Sequence, residues 1–217
     1  LTVDNVNDAP TITSTAVTSV NEDVGYSYTF AANDVDSGDS VILSDQTKPS
    51  WLSFNAGTGV LSGTPNNSHV GNHSVTLRAT DSNGVSTDQF FTLTVNNVND
   101  APVITSSAIT SVNEDSAYSY TLAASDVDSG DSLTLSAQTI PSWLSFNAGT
   151  GVLSGTPTNS NVGSHSVVLK ATDGSSAVDT QSFTITVNNV NDAPTITSKP
   201  IKKATGGSEY TYTFAAS

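Results

Sequence analysis

Asparagine and aspartate side chains are concentrated in the short segment Asn97-Val98-Asn99-Asp100-Ala101-Pro102. Their oxygens suit a hard metal ion, because calcium takes about six to eight oxygen ligands at roughly 2.3–2.6 Å from carboxylates, amides, carbonyls and water. The proline restricts Ala101 to extended backbone, so the chain leaves the segment as an extended strand. We therefore interpret the segment as a calcium-binding hinge.

The hinge segment recurs at a fixed interval. The same string begins at Asn5 and at Asn189, 92 residues before and after Asn97. Aligning 8–99 with 100–191 without gaps gives 67 identical positions of 92, and such a period indicates tandem domains. We predict complete repeats at 8–99 and 100–191, the end of a preceding repeat with its linker at 1–7, and a truncated third repeat at 192–217.

Composition narrows the possible functions. The 217 residues carry a formal charge of −14, with six basic residues against twenty acidic ones, which disfavours nucleic acid as a partner. The sequence has no cysteine, so it offers neither disulfides nor thiol chemistry. No apolar run reaches about 18 residues, and no signal peptide is recognisable at Leu1. We expect no membrane insertion by this segment, and a secretion signal elsewhere in the parent protein.

The elements that must position the acidic residues are predicted to be strands. Tyr26, Tyr28 and Phe30 alternate with polar residues, as in a strand with one buried face. The apolar runs 51–54 and 60–63 flank a glycine-bearing turn, which is typical of a hairpin. No segment of ten residues has a helical period. About seven short strands per repeat predict an all-β fold of antiparallel Greek-key sandwiches.

A sandwich brings loops that are distant in sequence together at one end. We therefore expect the loop with Asp126 and Asp128, the strand end at Asp173 and the linker 97–100 to meet there. Glu22, at the opposite end of the first repeat, is expected to face the same joint. A single cation could then bind both repeats and fix the angle between them.

Several of these segments, taken in order, are similar to the motifs of a cadherin repeat: Glu22, then 34–38, 54–59, 79–81 and 97–100. The region from Trp51 to Pro65 is more similar to dystroglycan-type cadherin-like, or putative Ig, repeats of bacterial surface proteins. The resemblance implies tandem Greek-key Ig-like or cadherin-like β-sandwiches with Ca²⁺ between successive repeats. The implied metal ligands are Glu22, Asn97, Asn99, Asp100, Asp126, Asp128 and Asp173, together with Asn5, Asn7, Asp8, Asp34, Asp36 and Asp81 of the preceding joint.

The chain also departs from the cadherin pattern. Gly63-Thr64-Pro65 stands where cadherins carry a further acidic motif, and Asn97 stands where they favour aspartate. The third repeat has Gly206-Gly207 in place of Glu22-Asp23. We therefore expect fewer ions per joint than in cadherins, and few ligands at the lower end of the third repeat.

The acidic residues also fit a role without metal. Asp and Asn favour ordinary surface turns, so the acids need not bind an ion, and for Asp131 and Asp115 metal binding and a turn role are evenly balanced. An EF-hand fits poorly because its glycine would come one residue early and flanking helices are missing. Trp51 and Trp143 are expected to be core residues, and His73 and His165 to be structural.

The sequence thus predicts a calcium-binding structural or adhesion module of a large exported bacterial protein, located at the cell surface or outside the cell. We expect no enzymatic activity, because no nucleophile motif is present. A carbohydrate-binding module of an adhesin or polysaccharide-degrading enzyme and a homophilic cell-adhesion domain are the alternatives. The corresponding partners are neighbouring repeats, a surface or matrix polysaccharide, or a like repeat on another chain.

Overall fold

Short strands with alternating burial form almost all of the regular structure. A computed structural model describes residues 6–217. The first repeat contains β1 (Thr11–Ile12), β2 (Ser19–Asn21), β3 (Tyr26–Thr29), β4 (Ala32–Asn33), β5 (Ile42–Thr47), β6 (Ser53–Asn55), β7 (Val60–Gly63), β8 (Gly71–Thr80) and β9 (Ser86–Asn96). A 3-10 helix spans Asn67–His69.

The second repeat has the same order of elements. Its strands are β10 (Val103–Ile104), β11 (Ser111–Asn113), β12 (Tyr118–Thr121), β13 (Ala124–Ser125), β14 (Thr134–Thr139), β15 (Leu144–Asn147), β16 (Val152–Gly155), β17 (Gly163–Thr172) and β18 (Val178–Asn188). A 3-10 helix spans Asn159–Asn161. No helix within residues 6–217 is long and apolar enough to cross a membrane.

Each repeat is built from three small sheets. In the first repeat they are the four-stranded sheet β2-β9-β8-β5, the three-stranded sheet β3-β7-β6 and the pair β1-β4. The pairing is antiparallel except between β2 and β9, where Ser19 lies beside Thr94 in a parallel register. This parallel pair differs from the predicted antiparallel pairing. It arises because the opening segment of the repeat divides between two sheets, with β1 on β4 and β2 on β9.

The core of each repeat lies between the three-stranded and four-stranded sheets. Alternate residues of β3 point inward, so that Tyr26 and Tyr28 are buried together with Phe30. Leu77 from β8 and Leu93 from β9 complete the core from the other sheet. In the second repeat the same places are taken by Tyr118, Tyr120, Leu122, Leu169 and Ile185. The predicted fold class, all-β tandem sandwiches, is confirmed.

The hairpin between β6 and β7 shows why its glycines are needed. Asn55 pairs with Val60, and its side-chain oxygen accepts hydrogen bonds from the backbone of Gly57 and Thr58. Gly59 has a φ of +71°, and a Cβ there would lie 2.2 Å from the carbonyl oxygen of Phe30. The predicted hairpin therefore forms around a position that only glycine fits without strain.

The chain divides into two compact units whose limits differ from those of the repeats. The first unit runs to Pro102 and also includes the segments Asp126–Ser132 and Asp173–Ala177. The second consists of Val103–Ser125, Leu133–Thr172 and Val178–Ser217. The acidic loops of the second repeat are therefore part of the first compact unit. The repeat boundaries at 8, 100 and 192 stay predictions.

Candidate metal centre

Three carboxylates of the first compact unit come together in one cluster. Glu22 follows β2, Asp100 lies in the hinge segment and Asp128 lies in the loop between β13 and β14. One carboxylate oxygen from each lies within 4.8 Å of the other two. A calcium ion with ligands about 2.3–2.6 Å away holds opposite oxygens about 4.6–5.2 Å apart. The spacing of the three oxygens therefore fits one calcium ion.

Glu22 is the most deeply buried member of this cluster. Its side chain is 2 % exposed, and Oε1 accepts a hydrogen bond from the backbone N–H of Val98 at 2.7 Å. Oε2 is also buried but has no hydrogen-bond partner. A buried carboxylate oxygen without a partner is costly, and a cation beside it would offset that cost. Glu22 is therefore suited to bind a metal ion.

Asp128 is held in place by several hydrogen bonds. Its Oδ2 accepts from the backbone N–H of Asp100 at 2.7 Å, and its Oδ1 accepts from Nδ2 of Asn67 at 3.0 Å. The Asp100 N–H, followed by the side chains of Asn67 and Asn97, holds the pKa of Asp128 below its usual value although burial opposes this. The Asp128 carboxylate is thus ionised and fixed at neutral pH.

A second acidic cluster lies in the same compact unit. Oxygens of Asp126, Asp131 and Asp173 lie within 4.8 Å of one another. Oδ1 of Asp126 accepts from the backbone N–H of Asp128 at 2.9 Å, whereas Oδ2 is buried without a hydrogen-bond partner. Nδ2 of Asn99 donates to Oδ2 of Asp173 at 2.8 Å. Asp131, for which metal binding and an ordinary turn were evenly balanced, thus lies among predicted ligands.

The corresponding loops of the first repeat form a third cluster, in which oxygens of Asp34, Asp39 and Asp81 lie within 4.8 Å of one another. Asn7 donates to Asp81 at 2.8 Å, and this hydrogen bond is the main reason why the pKa of Asp81 is lowered. The backbone N–H of Asp8 donates to Oδ2 of Asp36 at 2.7 Å. Asn5, also predicted as a ligand, lies outside the described residues.

None of these clusters is neutralised by a basic side chain. Within residues 6–217, the ion pairs formed by Lys or Arg are Lys48 with Asp45 at 3.5 Å and Arg78 with Asp88 at 2.7 Å. The three carboxylates of each cluster repel one another at this spacing. The metal-ligating atoms of these clusters are carboxylate oxygens, which suit calcium rather than zinc or another metal that prefers nitrogen or sulfur.

Asn67 is a candidate site residue that was not predicted from the sequence. It opens the 3-10 helix Asn67–His69, and its Nδ2 donates to Oδ2 of Asp100 at 3.3 Å and to Oδ1 of Asp128 at 3.0 Å. The region after the β6–β7 hairpin, where we expected no acidic motif and hence fewer carboxylates, therefore supplies an amide. The capping pattern from Asn66 to His69 was the available signal, since it indicates a tight turn.

The remaining predicted residues have clear positions. Asn97 contributes a side-chain hydrogen bond to Asp128. Asp115 lies apart from the three clusters, in a left-handed turn where its N–H donates to the carbonyl oxygen of Pro157. Its geometry fits the alternative of an ordinary turn residue.

The two tryptophans are not arranged as a sugar-binding platform. Trp51 and Trp143 are half-buried against the two cores, and the Nε1 atom of each is buried. The ring of Trp51 meets His73 edge-on, with ring centres 6.0 Å apart. A carbohydrate platform would need an exposed aromatic face, so these residues match the predicted core role.

Comparisons with known proteins agree with the fold. The Serine-rich adhesin for platelets of Staphylococcus aureus (strain USA300) is 30 % identical over 145 residues, which are 67 % of this chain but only 6 % of the adhesin. The extracellular fragment EC1-2 of human Protocadherin-24 matches with a TM-score of 0.55 and 21 % identity, covering 85 % of this chain and 100 % of that one. At this identity the protocadherin match shows the fold alone.

A weaker match involves an enzyme. An endo-fucoidan hydrolase from glycoside hydrolase family 107 is 25 % identical and covers 83 % of this chain and 29 % of its own, with a TM-score of 0.38. A TM-score this low shows neither a shared fold nor a shared activity.

The family itself is identified by both repeats. A family model described as "Putative Ig domain" matches residues 9–96 and again residues 101–188. The resemblance to cadherin-like and Ig-like repeats is confirmed by this match together with the adhesin and protocadherin comparisons. With two successive copies covering most of its length, the chain belongs to the Putative Ig domain family.

Proposed function

We propose that the chain is a calcium-binding structural module of a surface adhesin, in which Ca²⁺ stiffens the connection between successive repeats. The observation that carries this proposal is Glu22, a residue that is 2 % exposed and has one carboxylate oxygen without a hydrogen-bond partner, in a cluster with Asp100 and Asp128. An ordinary surface turn does not account for a buried, unpartnered carboxylate, whereas a bound cation does.

Stiffening would follow from where the ligands lie along the chain. Glu22 belongs to the first repeat, whereas Asp128 lies in a loop whose flanking strands, β13 and β14, belong to the second. An ion bound to both carboxylates would restrict the loop 126–132 relative to Glu22. The second cluster, Asp126, Asp131 and Asp173, offers a place for a further ion at the same connection.

The expected stabilisation is modest. Extracellular calcium modules bind with dissociation constants of about 10⁻⁴–10⁻³ M. At roughly 10 mM calcium, binding of this strength would stabilise the folded chain by about 1.4–2.7 kcal/mol per site. The module would therefore respond to calcium in the range found outside cells.

The setting and partners of the module are part of the proposal. The adhesin comparison supports a location at the cell surface or outside the cell, in a much longer protein. We propose that the repeats of this chain are bounded near residues 8, 100 and 192. Neighbouring repeats of the same chain are the principal partners. The module has a structural rather than an enzymatic role.

A calcium titration by calorimetry on residues 1–217 tests the binding. We expect heat of binding for the unaltered chain, and a loss of at least about tenfold in affinity for Asp128→Ala, since a charged ligand is removed. Asp115→Ala is a suitable control because Asp115 is an exposed aspartate outside the clusters. Absence of calcium binding at millimolar concentrations would contradict the proposal.

Small-angle X-ray scattering tests the stiffening separately. We expect the maximum dimension and the shape of the distance distribution to change between calcium and excess chelator. If the chain bound calcium but its distance distribution did not change, the metal site would stand, and its proposed role in stiffening the connection between repeats would be wrong.

A further inference from the structure

The turn that carries Asn67 is fixed by the sandwich rather than by the acidic residues. Oδ1 of Asn66 accepts from the backbone N–H of Ser68 at 3.1 Å, and Nδ1 of His69 accepts from the backbone N–H of Asn66 at 3.0 Å. From β8, Nε2 of His73 donates to the carbonyl oxygen of His69 at 2.6 Å. The 3-10 helix is therefore held at both ends, and Asn67 starts from a defined backbone position.

The second repeat builds the same turn with different residues. Oδ1 of Asn161 accepts from the backbone N–H of Thr158 at 2.9 Å, as His69 does for Asn66. His165 donates to the carbonyl oxygen of Asn161 at 2.6 Å. The amide at the first position of the helix is Asn159, and its Nδ2 donates to Asp192 at 3.2 Å. The capping residues thus vary, while the contact between amide and hinge aspartate recurs.

The amide of Asn67 has two chemically different ends, and only one of them can face a carboxylate. Nδ2 donates to Asp128 at 3.0 Å and to Asp100 at 3.3 Å, as it must, because ionised carboxylates only accept hydrogen bonds. A calcium ion takes oxygen ligands, so it would require Oδ1 at the same place. Rotation of the terminal amide exchanges the two ends without moving the turn.

We propose that Asn67 is a calcium ligand that works in two orientations, bonding Asp100 and Asp128 through Nδ2 and turning Oδ1 toward the cation when calcium binds. This inference rests on the proposed function of the same cluster. An amide adds an oxygen ligand without adding a fourth negative charge. It therefore gives weaker calcium binding than a carboxylate would, but limits the repulsion between Asp100 and Asp128 when calcium is removed.

Replacing Asn67 by aspartate separates this role from a purely structural one. For Asn67→Asp we expect the dissociation constant for calcium to fall on the order of tenfold, because ligand charge sets affinity in such sites. We also expect a lower melting temperature in chelator, since the added carboxylate faces two others. For Asn67→Ala we expect weaker calcium binding and a lower melting temperature in chelator. A residue that only held the turn would lose calcium affinity in both variants.

Asn159→Asp is the matched control. Asn159 occupies the same position of the same turn and also contacts the hinge aspartate. The substitution leaves Glu22, Asp100 and Asp128 untouched. The calcium-binding event that is lost in Asp128→Ala is assigned to that cluster. We expect this event to be unchanged in Asn159→Asp.

The calorimetric outcomes distinguish the two proposals. Tighter binding in Asn67→Asp, weaker binding in Asn67→Ala and an unchanged cluster in Asn159→Asp would support the two-orientation role. Calcium binding that is lost in Asp128→Ala but unchanged or weakened in Asn67→Asp would overturn it and leave the proposed function standing. No calcium binding by the unaltered chain would overturn the proposed function and, with it, this role for Asn67.

Discussion

The two repeats contain the same buried glutamate, but its surroundings differ. Glu22 and Glu114 are each 2 % exposed, and each has a buried Oε2 without a hydrogen-bond partner. In each, Oε1 accepts a hydrogen bond from a hinge residue, Val98 at 2.7 Å or Val190 at 2.6 Å. Glu22 also lies in a cluster with Asp100 and Asp128.

Within residues 6–217, Glu114 belongs to none of the three carboxylate clusters. Asp192, the hinge aspartate that corresponds to Asp100, is exposed. The burial of Glu114 therefore does not depend on an acidic loop beside it. We infer that each sandwich builds half of a metal site by itself, and that the acidic loop of the following repeat completes it.

The two repeats can be compared only if their hydrophobic cores are equivalent. Truncating a core side chain tests this, and we expect it to have the largest effect on the free energy of unfolding. Leu77 and Leu169 are both fully buried. We expect Leu77→Ala and Leu169→Ala each to lower the free energy of unfolding of its own repeat by about 2–5 kcal/mol, since each leaves a cavity. Denaturant unfolding followed by Trp51 fluorescence in a Trp143→Phe background, and the converse, reports each repeat. If only one of the two variants lost stability, the cores of the two repeats would not be equivalent.

The hairpin turns extend the comparison to the backbone. A Cβ at Gly59 or Gly151 would lie 2.2 or 2.5 Å from a carbonyl oxygen, and both residues have a φ of +71°. We expect Gly59→Ala and Gly151→Ala to lower the free energy of unfolding by about 1–3 kcal/mol each, from the strained backbone conformation and from crowding against the carbonyl oxygen. Gly71→Ala is the control for strain without crowding, because its φ is +124° and no heavy atom lies within 4 Å of an added Cβ. If Gly59→Ala cost no more than Gly71→Ala, crowding by Phe30 would be rejected as a cause.

The buried glutamates test the half-site comparison directly. Both Glu22→Gln and Glu114→Gln keep the acceptor for the hinge N–H but remove the negative charge. We expect Glu22→Gln to weaken calcium binding about tenfold or more, since one charged ligand is lost. Glu114→Gln should leave the affinity of the complete site unchanged. Equal effects in calorimetric titrations of the two variants would contradict the distinction between complete and half site.

A surface ion pair provides the smallest difference between the repeats. Arg78 bonds Asp88 through two nitrogens at 2.7 and 2.9 Å, whereas the second repeat has Lys170 and Thr180 at these positions. The hydrogen bond from Arg78 lowers the pKa of Asp88. A depressed folded-state pKa gives stability that is present above the ordinary pKa of aspartate, about 3.9, and is lost as the pH falls through the folded value.

We therefore expect Asp88→Asn to destabilise the first repeat slightly at pH 7, and the difference from the unaltered chain to disappear in acid. Thermal unfolding across pH 2–7 measures this, with Trp51 as the reporter. A destabilisation that persisted below the folded pKa of Asp88 would show that its charge is not the cause. Screening by water keeps the effect small, because Arg78 is partly exposed.

Much of the fold could be predicted because local rules and tertiary packing agree. The alternation at Tyr26, Tyr28 and Phe30 marks a strand with one buried face, and the glycines after Asn55 mark the hairpin turn. The parallel pair β2-β9 could not be predicted in the same way. Its register depends on where the opening segment changes sheets, and no local pattern reports that.

The acidic residues of the candidate site could be predicted from the sequence, but the amide of Asn67 could not. Asp and Glu at loop ends stand out by charge, and the repeat pattern brought Glu22, Asp100 and Asp128 into one hypothesis. Asn67 has no charge, and the capping pattern from Asn66 to His69 indicates only a tight turn. Its contact with Asp128 spans 61 residues and depends on a capped 3-10 turn that only the folded sandwich positions. The lack of a hydrogen-bond partner for Oε2 of Glu22 could not be predicted from the sequence either, because the burial of a single atom depends on packing in the folded structure.

The most direct test of calcium binding at the Glu22 cluster is a crystal structure of residues 1–217 grown with ample calcium, with anomalous scattering to identify the ion. We expect an anomalous peak about 2.3–2.6 Å from carboxylate oxygens of Glu22, Asp100 and Asp128, and none beside Glu114. Water alone among the Glu22, Asp100 and Asp128 carboxylates, in a crystal saturated with calcium, would contradict the proposed metal site.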